Sequence, residues 1–351
     1  FYGLDPVCYQ WDEFESSSPW FRDQLLAKHC GTKPRERALA FVLAHLLPQF
    51  QEAAKVHESS PSIGGLSKRL KNMFAERYVS SQYSFDVGCG KELAGKSSFS
   101  LDLENQHCIG NETFDIVITQ DVFEHIYDPA AAFREIGRTL KPGGFHIFTL
   151  PITSKRNKTF VTARKDASGI VKLYAPPEIH DNPMSDGGSL LTHQWGYDIV
   201  DKIADSSGMK TKVVYVDSEM MGIRDAEYRD VFISRKSGTN KMFPNIWKTL
   251  DSMHPSQHDF IKCTPAEAKH SDMHGFETTV IKKEFVVPFH GLRGEIHLNI
   301  SHKCFSDDSF TLKYSGGLLS DTFLPKPKES MREDFLAATS QKIGLKVQLA
   351  N

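Results

Sequence analysis

A strand-helix-strand crossover between parallel strands takes about 30 residues, and that length restricts this chain more than any single motif. The conspicuous motif is Phe85-Asp86-Val87-Gly88-Cys89-Gly90, an apolar run ending in D-x-G-x-G. Glycines after a strand let the backbone approach a cofactor closely, which invites assigning this run as the first strand of an open α/β sheet. The third glycine of a dinucleotide G-x-G-x-x-G fingerprint is absent. Spacing decides further. Asp102, the next acidic strand end, lies 12 residues after Gly90, and residues 114–119 (FDIVIT), a clear central strand, begin 24 residues after it. Two crossovers have to fit between the first and fourth strands of such a sheet, and they do not fit here.

Moving the first strand upstream solves the arithmetic. Residues 53–58 (AAKVHE) form strand one, followed by a hydroxyl-rich turn, Ser59-Ser60-Pro61-Ser62. Residues 64–76 read as a helix with Leu66, Leu70, Met73 and Phe74 on one face. Residues 77–83 (RYVSSQY) supply strand two, 98–103 (SFSLDL) strand three, 114–119 strand four and 145–150 (FHIFTL) strand five. Residues 129–140 read as an amphipathic helix stopped by Lys141-Pro142-Gly143-Gly144. The FDVGCG run becomes a connection between strands two and three.

The 351 residues are expected to divide into three zones. Residues 1–50 read as a helical N-terminal extension, with helical apolar spacing from Arg35 to Phe50. Residues 51–236 alternate β-rich and helical runs, which predicts an α/β sheet with parallel strands. Residues 237–241 (SGTNK) read as a linker, and 237–351 as a β-rich accessory domain with strands at 278–288, 294–301 and 310–314. Net charge is −2, which gives no electrostatic case for nucleic acid. No apolar run reaches the roughly 20 residues of a membrane span. The six cysteines (8, 30, 89, 108, 263, 304) contain no C-x-x-C pair, so they are expected to be free thiols in a reducing, cytoplasmic compartment. The chain begins at Phe1, as expected of a piece of a longer protein.

Asp115-Ile116-Val117, Gln120-Asp121-Val122-Phe123-Glu124-His125, Asp128-Pro129, Glu135-Ile136, Arg138 and Leu140-Lys141-Pro142-Gly143-Gly144 together resemble the class I S-adenosylmethionine (SAM)-dependent methyltransferases. His57-Glu58-Ser59-Ser60-Pro61, Ser81-Gln82-Tyr83, Asp102-Leu103-Glu104 and Trp195-Gly196-Tyr197-Asp198 narrow it. They are similar to a subgroup found beside or fused to glycosyltransferases in bacterial surface-polysaccharide biosynthesis. The resemblance covers about residues 30–236. It implies a Rossmann-like seven-stranded sheet with helices on both faces and SAM at the carboxyl ends of strands one to four.

The resemblance also implies roles. Ser59 and Ser60 hold the methionine carboxylate, helped by the next helix N-terminus. Glu58 accepts from the methionine ammonium. Asp102 accepts from the adenine amino group, with Leu103 against the ring. Gln120 and Asp121 line the sulfonium side. Strand two, which usually ends in a ribose-binding acid, here ends in Gln82 and Tyr83; Gln82 bonds a hydroxyl without the charge. Since the sulfonium methyl is already activated, the protein mainly positions an acceptor and removes its proton. Base candidates are His125, His180, Asp181 and His193, with His180 and Asp181 favoured because 174–183 (YAPPEIHDNP) is a Pro-rich loop after strand five. Trp195 is expected to be buried rather than stacked on a sugar.

The implied activity is O-methyl transfer to a sugar hydroxyl of a surface polysaccharide or its precursor, with a glycan acceptor and a glycosyltransferase domain or partner nearby. Competing readings are a methyltransferase for another small metabolite or lipid, and a non-catalytic scaffold for glycosyltransferases. No metal site is assigned; His254, His258, Cys263, His270 and His274 cluster in sequence, but Pro255 interrupts the first His pair.

Overall fold

The computed structural model describes residues 1–46, 54–62, 64–153, 158–182 and 185–239, and four further strands at 260–263, 295–300, 308–315 and 345–349. In chain order the elements begin with β1 (Tyr2–Asp5), β2 (Gln10–Ser16), a one-turn helix α1 (Phe21–Gln24), β3 (Leu25–Ala27) and α2 (Pro34–Leu46). Then come β4 (Val56–Ser59), α3 (Gly65–Phe74), β5 (Tyr78–Gln82), β6 (Phe99–Ser100), β7 (Phe114–Gln120), α4 (Pro129–Thr139) and β8 (Leu140–Thr149). Short strands β9 (Phe160–Val161), β10 (Ala163–Lys165), β11 (Val171–Leu173), β12 (Ile179–Asn182), β13 (Ser185–Leu190) and β14 (His193–Gln194) follow. The series continues with α5 (Ile199–Ser207), β15 (Lys210–Val216), β16 (Asp230–Arg235), β17 (Phe260–Cys263), β18 (Glu295–Ile300), β19 (Asp308–Ser315) and β20 (Leu345–Leu349).

The main sheet has the order β17-β15-β16-β8-β7-β4-β5-β6. β4 pairs in parallel with both β5 and β7, so the chain reverses its direction of travel across the sheet at β4, as the spacing argument requires. The FDVGCG run lies between β5 and β6, outside any strand. β16 is antiparallel to both β8 and β15, which makes the seven expected strands a mixed sheet. β17, from the zone expected to be accessory, adds an eighth strand beside β15.

Helices cover both faces. Leu66, Leu70 and Phe74 of α3 and residues 38–43 of α2 pack on Val56, Ile116, Ile118, Ile147 and Ile233. On the other face Phe133 and Ile136 of α4 and Ile199 and Ile203 of α5 cover Val117, Phe148, Val213 and Phe232. Local chemistry sets the helix limits. Asp128 caps α4 by accepting from Ala131 N at 3.0 Å, Pro129 opens it, and Gly208 at φ +69° closes α5.

Two expectations are corrected. The first 30 residues are mainly strand, not helix: β1, β2 and β3 form an antiparallel sheet interrupted by the one-turn α1, and α2 keeps the predicted helix. Strand pairing here buries Phe14, Leu25 and Ala27, a core too small to show as sequence periodicity. Arg37, fully buried, fastens this cap to the body by donating to Thr32 O, Leu25 O and Gly222 O while lying over the Phe14 ring. Second, four cysteines are paired, Cys8 with Cys30 and Cys89 with Cys108. The fold brings together residues 22 and 19 positions apart, so sparse spacing was no guide, and the inference of a reducing compartment loses its premise. The expected strands at 294–301 and 310–314 fall on β18 and β19; 278–288 lies outside the described residues. Among the described residues no helix is long and apolar enough to cross a membrane.

Gly90 has a structural task in the connection between β5 and β6. Its φ is +79°, and an added Cβ would sit 3.3 Å from Cys108 Cβ, whereas Gly88 has nothing nearer than Lys91 Cγ at 4.0 Å. Gly90→Ala is expected to cost about 1–2 kcal/mol of stability in a denaturant titration, and Gly88→Ala well under half of that; equal effects would contradict this placement.

Acid sensitivity is built into the sheet. His57 and His146 are fully buried, with Nε2 on Ser81 Oγ at 2.8 Å and on Thr119 Oγ1 at 3.0 Å respectively; neither Nδ1 has a partner. Burial pushes both imidazoles down to about 3. The unfolded chain takes up these protons below about 6.5 while the folded chain does not. Their stabilising contribution is therefore complete above about 6.5 and lost as pH falls toward 3. Unfolding free energy is expected to drop by about 2 kcal/mol per histidine between pH 7 and pH 5; a flat profile over that interval would contradict it.

Candidate functional site

The carboxyl ends of β4, β5, β6 and β7 converge where the strand order reverses, the place open α/β sheets bind ligands. At the end of β4, Ser60 adopts φ +57° and its N–H donates to Ser81 O at 2.8 Å. The chain then turns through Pro61 and Ser62 into α3. The glycines opening that helix are required by close approach. A Cβ on Gly64 would lie 2.6 Å from Glu36 Oε1, and one on Gly65 2.5 Å from Thr32 Cγ2. The turn is thus pressed against α2 and the N-terminal cap.

Glu58 stands beneath this turn, fully buried. Its Oε1 accepts from Ser67 Oγ at 2.7 Å and Gln120 Nε2 at 3.0 Å, and its Oε2 from Tyr78 OH at 2.6 Å. Burial raises its carboxyl above the ordinary range against these three donors. With both oxygens engaged, Glu58 is a positioning group joining α3, β5 and β7, not the open ammonium acceptor that the resemblance implied. Gln120, also expected at the cleft, spends its amide on Glu58.

Ser59 is buried and Ser60 half-buried at the head of the turn. Gln82 is buried at the end of β5 and accepts from Lys96 Nζ at 3.3 Å; Tyr83, beyond it, is 53 % exposed. Asp102 follows β6, half-buried, with Oδ1 accepting from Glu104 N at 2.9 Å. Burial, then the nearby carboxylates of Asp102 and Glu104, raises the Tyr83 phenol, which puts Tyr83, Asp102 and Glu104 at one end of the cleft. Leu103 turns into the core rather than offering a free face to a ring.

At the other end, Asp121 sits at φ +51° directly after β7. Its carboxylate pairs with Arg22 and with Arg35 Nε at 3.0 Å and accepts from Thr149 Oγ1 at 3.2 Å. Burial alone would raise this carboxyl; the two guanidinium groups hold it below its ordinary value. Asp23 bridges the same two arginines. Sequence reasoning missed Arg22 and Arg35. Arg22 lies upstream of every recognisable motif, and Arg35 reads only as the start of an amphipathic helix, so no local signal exists for either.

The base candidates separate clearly. His125, in a 3-10 turn after β7, has Nδ1 3.0 Å from Leu190 O. His180, on the β12–β13 hairpin, meets it edge-to-face with ring centroids 5.0 Å apart, and its Nε2 lies 3.1 Å from Glu178 Oε1. Burial, and secondarily His180, pushes the His125 imidazole down. Neighbouring Glu124 is buried, and burial and the Asp121 charge push its carboxyl well up. Asp181 is exposed on the hairpin. His193 is removed from contention: it is buried, its Nδ1 lies 2.8 Å from Thr192 Oγ1, it stacks on buried Trp195, and burial pushes it down to about 4. Trp195 is a core residue, as expected.

Residues 64–148 match a family described as a methyltransferase domain. That span holds the β5, β6 and β7 ends and the DVFEH segment. Over that span the chain is similar to class I SAM-dependent methyltransferases, and S-adenosyl-L-methionine is the methyl donor of that class. A ubiquinone biosynthesis O-methyltransferase of Aliivibrio fischeri is 32% identical over 93 residues, 26% of this chain and 38% of the relative. One from Cereibacter sphaeroides is 29% identical over 123 residues, 34% of this chain and 48% of the relative. The chain thus spans under half the length of these curated relatives. A SAM-dependent methyltransferase structure from Mesorhizobium loti overlaps 57% of this chain and 98% of its own, with a TM-score of 0.37 and 16% identity.

Asp102→Ala is expected to weaken binding of S-adenosylhomocysteine, the demethylated donor, by about 1–3 kcal/mol in calorimetry. Unchanged affinity would remove Asp102 from the expected donor site.

Proposed function

We propose that this chain transfers the SAM methyl group to an oxygen of a small polar acceptor, a sugar hydroxyl of a polysaccharide or its precursor. The single observation that supports it most is the meeting of His125 and His180 beyond the end of β7, one from the turn after that strand and one from the hairpin. Two imidazoles, with Glu124 and Glu178 beside them, form a polar rather than aromatic acceptor end. Transfer breaks the sulfonium S–CH3 bond and forms an O–CH3 bond, and the hydroxyl proton leaves to this pair. Burial pushes the His125 imidazole down, which favours the form able to accept a proton. The N-terminal cap, through Arg22 and Arg35 on Asp121, fixes the start of the segment carrying Glu124 and His125. On this reading residues 51–236 form the transfer unit, 237–351 an accessory zone, and a glycosyltransferase is the partner whose product or substrate is methylated. The curated relatives, O-methyltransferases by name, support oxygen as the accepting atom.

A second reading, an acceptor with a lipid portion, is favoured by Ile170, Val171, Leu173, Tyr174 and Ile179. All are exposed on the two hairpins that precede β14, more apolar surface than scattered residues explain. Methyl transfer from labelled SAM to free sugars and to lipid-linked sugars separates the readings. His180→Ala is expected to lower kcat by about a hundredfold on the accepted substrate while S-adenosylhomocysteine affinity stays unchanged. Full kcat in both His125→Ala and His180→Ala would remove the pair from the reaction.

A further inference from the structure

We propose that Glu124, His125 and His180 bind a divalent cation of the zinc type at the acceptor end of the cleft. This deepens the reading above and rests on it only for the location of the acceptor. With the cation bound, both ring lone pairs are on the ion, which polarises the acceptor hydroxyl in place of the imidazole pair, and the hydroxyl proton leaves to solvent. One carboxylate oxygen and one ring nitrogen from each histidine lie within 4.8 Å of one another, a span that side-chain adjustment closes onto one ion at the usual distance of about 2.1 Å per ligand. Glu124 is 2% exposed, and its Oε2 has no hydrogen-bond partner. A buried carboxylate oxygen without a donor is costly, and a cation satisfies it.

The surroundings fit ligation. His125 Nδ1 lies on the Leu190 carbonyl at 3.0 Å and His180 Nε2 on the Glu178 carboxylate at 3.1 Å. When each of those nitrogens donates, the other nitrogen of each ring keeps its lone pair. A ligating histidine held through its second nitrogen by a carbonyl or carboxylate is the usual outer arrangement of a zinc site. Two histidines and one carboxylate leave a fourth position open, the composition of a catalytic rather than a structural centre. The arginines nearest Glu124 do not compete for it. Arg22 and Arg35 are both paired with Asp121 and Asp23.

The site joins two elements remote in sequence. His125 and Glu124 come from the turn after β7, and His180 from the β12–β13 hairpin. A bound cation therefore fastens the hairpin over the cleft and offers its open position to the acceptor oxygen. The other potential cluster among the described residues, Asp5 with Cys8 and Cys30, is already committed. Its sulfurs are bonded to each other, and Asp5 accepts from Val7 N at 2.7 Å and from Thr32 Oγ1.

The test is calorimetric titration of the metal-stripped chain with Zn2+, and Co2+ substitution followed by visible absorption. One equivalent is expected to bind with micromolar or tighter affinity, weakened at least about tenfold in Glu124→Gln and His180→Ala. Visible Co2+ bands are expected to disappear in His180→Ala. His254→Ala/His258→Ala controls for the C-terminal histidines and is expected to leave this binding intact. Absence of binding overturns the proposal, as does binding that survives the Glu124 and His180 substitutions. Donor affinity is read in the same samples. If Zn2+ fails to bind while S-adenosylhomocysteine binds and His180→Ala still lowers kcat, the cation proposal alone falls.

Discussion

Everything at the cleft hangs on one buried carboxyl group. Glu58 receives a hydroxyl from α3, a phenol from β5 and an amide from β7. Strand pairing aligns β4 with its two neighbours but leaves freedom at their ends, where the ladder stops. The three donors tie the head of β4 to α3, to the start of β5 and to the Gln120 end of β7. Burying a carboxyl is expensive unless its oxygens are satisfied. The arrangement is therefore all or nothing: loss of one partner strands the others in the sheet interior.

The second fixed relation comes from outside the sheet. The N-terminal cap is anchored by Arg37, fully buried with three carbonyl acceptors. From that anchor Arg22 and Arg35 reach Asp121, the first residue past β7 and one held at positive φ. The DVFEH segment is thus gripped at its start by the cap and at its far side by Thr192, whose N–H donates to Glu124 O at 2.7 Å. Glu124 and His125 lie between these grips, facing His180. The strand ends around Glu58 and the DVFEH segment are held by different devices, so on the proposed function the donor and acceptor ends are separable by mutation.

The sheet was legible because crossover length is a physical minimum that sequence displays directly. The position of β4 and the demotion of FDVGCG follow from it, while α3 was legible from its apolar face and the start of α4 from Asp128-Pro129. Side-chain positions were legible where a residue closes a strand: Ser60, Gln82 and Asp102 stand at or just past strand ends as expected, and His125 lies in the turn beyond β7. Glu58 and Gln120 satisfy each other instead, because a carboxylate at the end of a fully buried strand needs internal donors before it can serve a ligand. His193 failed for a similar reason: its motif sits beside the Trp195 core. The N-terminal strands, the two disulfides and the Arg22–Asp121–Arg35 bridge had no local signature, since each depends on partners brought together by the finished fold.

The central claim is that the donor cleft is formed by the ends of β4, β5, β6 and β7 and not by the glycine-rich run. Hydrogen exchange with and without S-adenosylhomocysteine tests it directly. The account predicts ligand-induced protection at residues 58–62, 81–83, 101–104 and 119–122, with no change at 85–90. Protection centred on 85–90, with the four strand ends unaffected, would contradict it.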